Sequence, residues 1–368
     1  MVAQLSVLDG QTNWHLTTDR RPCMNTIKVT QSEGKGKSLC LNEFDHFLAL
    51  DWSMKVMAIA HMRRRSKEPE TFERPSDLKE FKQYLATLKG RKVLTIEETT
   101  TAQWLYVELI DHVDRIILCD PYHNRLLSNG PKTDKIDAGK LCQLLRAGLL
   151  KEVFHSLGGL YELRRLVSAY EDLVKAGVRV LNQKASMEQG HFESGKHAPF
   201  ILEHVAKSIE LYQRSKEQYE HKFTDLSRRN KLVKNLMEVS GIGIIGAVKI
   251  VAIVVDARRF ARAGNYLSYC GLIKHEKISG GRSYGRRRPR FNHTLKVVYK
   301  LAAMSVISGH NNPIREYYEY LLAKGCAEHN ARNAVARYIA RLTYGMLKTG
   351  KRYQAYQWRN QAAGHQAA

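Results

Sequence analysis

Phe47-Leu48-Ala49-Leu50-Asp51 is the stretch on which the reading of this chain turns. A short apolar run bounded by polar residues has the pattern of a buried strand. This one ends on an acid. Outward from it the design recurs at Val93-Leu94-Thr95-Ile96-Glu97 and again at Ile116-Ile117-Leu118-Cys119-Asp120. Val56 to Ala60 is a further strand candidate, and helical patterns at about 77–89 and 101–112 lie between the runs. Another helix is predicted over about 135–148, with Ile136, Leu141, Leu144 and Leu145 on it and a stop near Gly148. Apolar strands alternating with helices predict a mixed α/β sheet with flanking helices over residues 46–155. Residues 1–45 are polar and irregular and are expected to form a loosely ordered extension or a small appended element.

From residue 157 the period changes. Leu160, Leu163, Val167, Tyr170, Val174, Gly177 and Leu181 step by three and four, as do Leu202, Val205, Ile209, Tyr212, Lys216, Tyr219, Phe223 and Leu226. Two heptad seams joined by a polar break predict an antiparallel coiled-coil arm over 156–230; a helical bundle packed on the domain is the alternative. The portion from 231 to 352 is expected to be mostly helical. Helices are predicted at 231–238, 244–256, 293–308, 313–324 and 329–348, with a Gly/Arg-rich loop from Ser279 to Arg290 and a frayed tail over 353–368.

Composition narrows the function. Lys and Arg number 59 against 36 Asp and Glu, a net charge of +23, and the chain of 368 residues is 43% hydrophobic. Such a chain folds into two or three domains, and its clustered positive charge points to a polyanionic partner, foremost nucleic acid, over a merely solvated basic surface. The six cysteines (Cys23, Cys40, Cys119, Cys142, Cys270, Cys326) are scattered without a C-x-x-C pair, which supports neither a zinc site nor a disulfide framework and fits a reducing cytoplasm. The strongest apolar run, Ile250 to Val255, is far shorter than a membrane span, and the N-terminus has no basic-then-apolar signal.

Three features could carry chemistry. Asp51 and Glu97 each close a strand, so their carboxylates emerge at one sheet edge; Asp134 and Asp137 share a helix face three residues apart. Clustered carboxylates are costly without cations, and two-metal phosphoryl transfer needs such a cluster around ions about 4 Å apart. Taken singly, Asp134 and Asp137 could be a helix cap and a dipole residue. Asp120, followed by Pro121, reads as a turn acid and is left out. Gly241 and Gly243, between two helical patterns, suit a helix-hairpin-helix that brings backbone N–H groups to a DNA phosphate, or simply a tight helix connection. Finally, Ser279-Gly280-Gly281-Arg282 precedes Arg286, Arg287, Arg288 and Arg290. A Ser among arginines could attack a phosphodiester and keep its bond energy in a phosphoserine link. A solvated Ser in a basic loop is the alternative, and Ser283 is a rival hydroxyl.

At Lys132-Thr133-Asp134-Lys135-Ile136-Asp137-Ala138 the chain resembles a known family. It is similar, from about Phe47 to Lys351, to the DEDD transposases of insertion sequences, which include pilin-gene invertases and bridge-RNA-guided recombinases. Asp51-Trp52-Ser53 matches the motif of the first acid, Glu97-Glu98-Thr99 that of the second, and the Lys132–Ala138 run those of the third and fourth. Gly241 to Gly243 and Gly271-Leu272 match the segment leading to the family's Ser-Gly pair, which selects Ser279 over Ser283. The chain departs from the pattern at Glu98, which leaves the second acid open between Glu97, preferred, and Glu98, and at Phe291, where the family has Gly.

The resemblance implies an RNase H-like (RuvC-like) N-terminal domain binding Mg2+, with two ions held by Asp51, Glu97, Asp134 and Asp137. It implies covalent catalysis by Ser279 on donor and target double-stranded DNA, dimers assembling into a tetramer, and a structured non-coding guide RNA. It also implies a cytoplasmic, nucleoid-associated protein of a bacterium or archaeon. Two other functions compete: a Holliday-junction-resolvase-like nuclease in which the metal activates water, and a non-enzymatic DNA-binding protein.

Overall fold

A computed structural model describes residues 43–122, 133–155, 160–190, 195–287, 289–309 and 312–355. The extension up to residue 42, with Cys23 and Cys40, lies outside these residues, as do Lys132, Arg288 and the tail beyond 355.

Five strands form the N-terminal sheet: β1 (His46–Trp52), β2 (Val56–Arg63), β3 (Glu70–Pro75), β4 (Lys92–Glu97) and β5 (Arg115–Cys119). Their order is β3-β2-β1-β4-β5, with β1, β4 and β5 parallel and β2 and β3 antiparallel to their neighbours. The mixed sheet is therefore as expected. Helices α1 (Leu78–Thr87) and α2 (Ala102–Leu109) cover one face, and α3 (Asp134–Ala147) covers the other.

Side chains along a strand alternate between the two faces. Leu48, Leu50, Leu94, Ile96 and Leu118 meet Phe81 and Leu85 of α1 and Leu105 and Leu109 of α2. Phe47, Ala49, Val93, Ile117 and Cys119 meet Ala138, Leu141, Cys142 and Leu145 of α3. Burial on both faces is why the runs read as continuously apolar. Each fully buried large side chain contributes about 1.5–3 kcal/mol.

Two features depart from expectation. Strand β3, with sequence ETFERP, is an exposed edge strand whose lone large apolar residue gave no strand signal. The domain also begins before residue 46: Phe44 is buried in the α3-side core, with the Arg91 guanidinium 5.0 Å over its ring.

The two seams become α4 (Leu160–Gln189) and α5 (Ala198–Arg229). They run antiparallel, since Tyr170 meets Tyr219 and Phe223 while Gly177, further along, meets Tyr212. A Cβ at Gly177 would lie 2.3 Å from the Tyr212 ring, so this small residue admits an aromatic partner. At their base, Val167, Tyr170 and Phe223 join the core of the C-terminal portion, and Lys249 pairs with Glu171. The outer seam is open, with Leu181 exposed. The base of the pair is thus packed on the C-terminal core.

That C-terminal core is built from α6 (Lys231–Met237), α7 (Ile244–Val254), α8 (Ala263–Tyr269), α9 (His293–Ser308), α10 (Pro313–Ala323) and α11 (Glu328–Thr349). Helix α7 is apolar nearly all round and is central. Buried hydroxyls of three helices meet inside it: those of Tyr266 and Tyr299 are 2.5 Å apart, and Tyr299 lies 2.8 Å from Thr343 Oγ1. The expected loop from Ser279 is instead half of a hairpin, β6 (His275–Ser279) and β7 (Arg282–Arg287). Among the described residues no helix is long and apolar enough to cross a membrane.

Candidate active site

Strand register brings the first two acids together. Leu50 stands opposite Ile96 in the parallel β1–β4 pair, so Asp51 and Glu97 follow one step on, at the carboxyl edge of the sheet. By alternation both share the face of Phe47, Ala49 and Val93, the face that α3 covers. Helix α3 starts at the same edge. Its N-cap is Thr133, whose hydroxyl accepts the Ile136 N–H at 3.3 Å, so Asp134 is not the cap. Asp134 and Asp137 are exposed in the first turn, where the helix dipole favours negative charge.

The four acids act on one another electrostatically. The half-buried Asp51 carboxyl is pushed up to about 6, first by burial and then by the negative charges of Asp134, Glu97 and Asp137. Among the described residues no three His, Cys, Asp or Glu side chains are close enough to ligate one ion as they stand. The donor set nevertheless fits a hard divalent cation. All four groups are carboxylates, and a cation drawn between them would remove the repulsion felt at Asp51. Glu98 is engaged elsewhere: its Oε2 is 2.5 Å from His155 Nε2, and His155 Nδ1 is 2.5 Å from Gln103 Oε1. Cys142 and Cys270 are buried thiols pushed up to about 12 by burial, which makes them poor thiolate ligands.

In the β6–β7 hairpin, Gly280 and Gly281 have φ of 55° and 74°, the two positive values that a two-residue primed turn demands. Ser279 pairs with Arg282 across this turn. Further down, β7 carries one extra residue between the Ile278–Ser283 and Glu276–Arg286 pairs, a bulge that Gly285 takes up at φ 98°. Cross-strand pairs share a face, so Ser279 lies with His275, Lys277, Arg282 and Arg287, while Glu276, Ile278, Ser283 and Arg286 lie opposite. The Ser283 hydroxyl donates to Glu276 Oε1 at 2.7 Å. The Ser279 hydroxyl is exposed and has no hydrogen-bond partner among the described residues. Lys277 and His275 escaped the sequence reading because their face becomes visible only once the loop is a strand.

The other basic and glycine positions divide. Arg290 forms an ion pair with Asp120 at 2.6 Å, joining the segment after the hairpin to the end of β5, so its charge is already matched. Gly241, at φ 85°, is where a Cβ would lie 2.4 Å from the Ala302 carbonyl oxygen; it is needed for α9 to approach. Gly243 caps α7, is exposed, and has open space around it. Of this pair, only Gly243 presents a helix start to solvent.

Comparison with known families bears on both halves. A family model described as Transposase, the DEDD domain of IS110 type, matches residues 48–192. A second, described as Transposase IS116/IS110/IS902 family, matches residues 233–319. The first match takes in the sheet with its four acids and the first arm helix; the second takes in α6, α7 and the Ser279 hairpin. No curated protein matches the chain.

Proposed function

Given that the chain carries the transposase domains of the IS116/IS110/IS902 insertion-sequence family and is an enzyme acting on DNA, we propose that it cuts and rejoins DNA by transesterification at Ser279 with help from the Asp51, Glu97, Asp134 and Asp137 carboxylates. The observation that carries this is the strand register that ends β1 and β4 on Asp51 and Glu97 at one sheet edge, with Asp134 and Asp137 in the first turn of the helix covering that face. An enzymatic assignment sets the purely architectural DNA-binding alternative aside.

In the proposed step the Ser279 oxygen forms a bond to a backbone phosphorus as the bond to one sugar oxygen breaks. The hydroxyl proton leaves Ser279, and the departing sugar oxygen gains one to become a free hydroxyl. One phosphoester is exchanged for another, so a second strand end can reverse the exchange without an external energy source. A divalent ion, Mg2+ for the all-oxygen donor set, would neutralise charge at the phosphate when bound. The contact of Glu98 with His155 supports Glu97 as the second acid of this set. Hydrolysis by an activated water is the competing chemistry, and it leaves Ser279 without a role.

Arg282, paired with Ser279 across the turn, would hold the phosphate under attack, with Arg287 further along the same face, whereas Arg286 faces away. Arg282→Ala is therefore expected to slow strand cleavage by about a hundredfold, the scale of one lost charge-stabilising donor, and Arg286→Ala far less. Equal losses in a single-turnover cleavage assay would remove the distinction between the faces.

The guide RNA, the dimer-of-dimers assembly and the DNA grip at Gly241 and Gly243 extend this proposal. Net charge supports a polyanionic partner, and the exposed outer seam of α4 and α5 supports pairing between copies. Sequencing the nucleic acid that co-purifies with the protein tests the guide. One defined RNA is expected; random fragments alone would count against it.

A further inference from the structure

The sheet edge opposite the carboxylates has a second feature. His46 opens β1 and pairs with Arg63, which ends β2; five residues of strand, about 17 Å, separate this edge from Asp51. Here Arg63, Arg64, Arg65 and Lys89 line an open cleft of about 600 Å3. Asp45 is the one acid on the cleft wall, and its Oδ2 already accepts the Arg91 N–H at 2.9 Å. None of the four cationic side chains makes an ion pair among the described residues. Exposed cations are usually partly matched by nearby acids, so four on one rim mark a strongly positive site.

The cleft walls are anchored. On one side a turn holds the arginines: Ser66 N donates to the Arg63 carbonyl at 3.1 Å, Arg63 N donates to Ser66 Oγ at 3.2 Å, and Arg146 of α3 donates to the Ser66 carbonyl. On the other, His46 Nε2 donates to the Lys89 carbonyl at 2.8 Å. Behind it His46 Nδ1 meets His61 Nε2 at 2.9 Å, and His61 Nδ1 meets the Tyr84 hydroxyl at 3.1 Å. Both histidines are buried, so the network ties β1, β2 and α1 together beneath the rim. Backbone fixed in this way sets where the three arginines leave the chain before any ligand arrives.

We propose that this cleft is a second DNA-binding site, gripping the phosphate backbone of the duplex that flanks the cut. Three consecutive arginines on an exposed turn suit successive phosphates along a strand, since each planar guanidinium can fork onto two phosphate oxygens. Duplex DNA is the polyanion that the chain's activity guarantees to be present. The site depends on neither Ser279 nor the carboxylates and is separated from them by the length of β1.

The test is the salt dependence of binding. With the full-length protein and a random-sequence duplex extending past the active site, log K against log salt should be compared between wild type and Arg63→Ala/Arg64→Ala/Arg65→Ala. Each phosphate contact contributes about 0.9 to the slope, so the triple variant should lose about two to three and bind at least about tenfold more weakly at low salt. The triple Lys variant should retain most of the slope, and Arg64→Glu alone should weaken binding should the triple Ala variant fold poorly. An unchanged slope in a variant of unchanged melting temperature would overturn the proposal. So would a loss confined to a structured RNA of equal charge with duplex binding intact, which would assign the cleft to RNA.

Discussion

Ser279→Ala is expected to reduce strand joining by at least about a thousandfold, the scale at which a covalent nucleophile is lost, while leaving DNA affinity within a few-fold of wild type. The side chain is exposed at the end of a hairpin strand and contributes nothing to the core, so the melting temperature should not move. Ser283→Ala separates the two hydroxyls. Ser283 sits on the opposite face and donates to Glu276, so its loss should cost hairpin order and only a few-fold in rate. A recombination assay on DNA carrying the ends of the encoding element, run beside a filter-binding measurement, reads both effects. Should Ser279→Ala keep cleaving at the wild-type rate, the nucleophile is water.

Asp51→Asn should abolish cation-dependent activity and yet stabilise the metal-free protein. The folded Asp51 carboxyl is pushed up to about 6 against an ordinary 3.8. It therefore binds a proton more readily folded than unfolded. The stability this confers is fully present below about 3.8 and is lost as pH rises through about 6, leaving the charged form penalised at neutrality. Linkage alone would put the penalty at about 3 kcal/mol, and the solvent-exposed part of the carboxyl reduces this to about 1–2 kcal/mol. The neutral amide avoids the penalty, so Asp51→Asn should melt about 2–4 °C higher than wild type at pH 7.5 without divalent ions, and the gap should close near pH 4. Added Mg2+ should raise the wild-type melting temperature and leave the variant unmoved. A variant that melts lower than wild type at neutral pH would show that Asp51 is held by favourable contacts instead.

Legibility in the sequence followed the physics of each element. The central strands were plain because burial on both faces forces continuous apolar runs, and α3 because its apolar positions and terminal Gly148 agree. β3 was hidden, since an edge strand with one exposed face needs little apolar signal. The β6–β7 hairpin was hidden for a different reason. Its burial is nil, so composition showed only glycine and arginine, although Gly280-Gly281 is a legitimate primed-turn pair. Reading it as a loop concealed that Arg282 and Arg286 face opposite ways. Among the acids, spacing grouped Asp134 with Asp137, but only the β1–β4 register sets Asp51 beside Glu97, and only the long-range His155 contact separates Glu98 from Glu97. Arg290 likewise reads as a free cation in sequence and is matched in space by Asp120, 170 residues away.

The most direct test of covalent catalysis is to quench a reaction of wild-type protein, DNA and Mg2+ with denaturant, digest it, and locate any nucleotide-bearing peptide by mass spectrometry. The expected result is a phosphonucleotide on the peptide containing Ser279, absent when the divalent ion is withheld. Cut DNA with no attached peptide, or attachment at another residue, would contradict it.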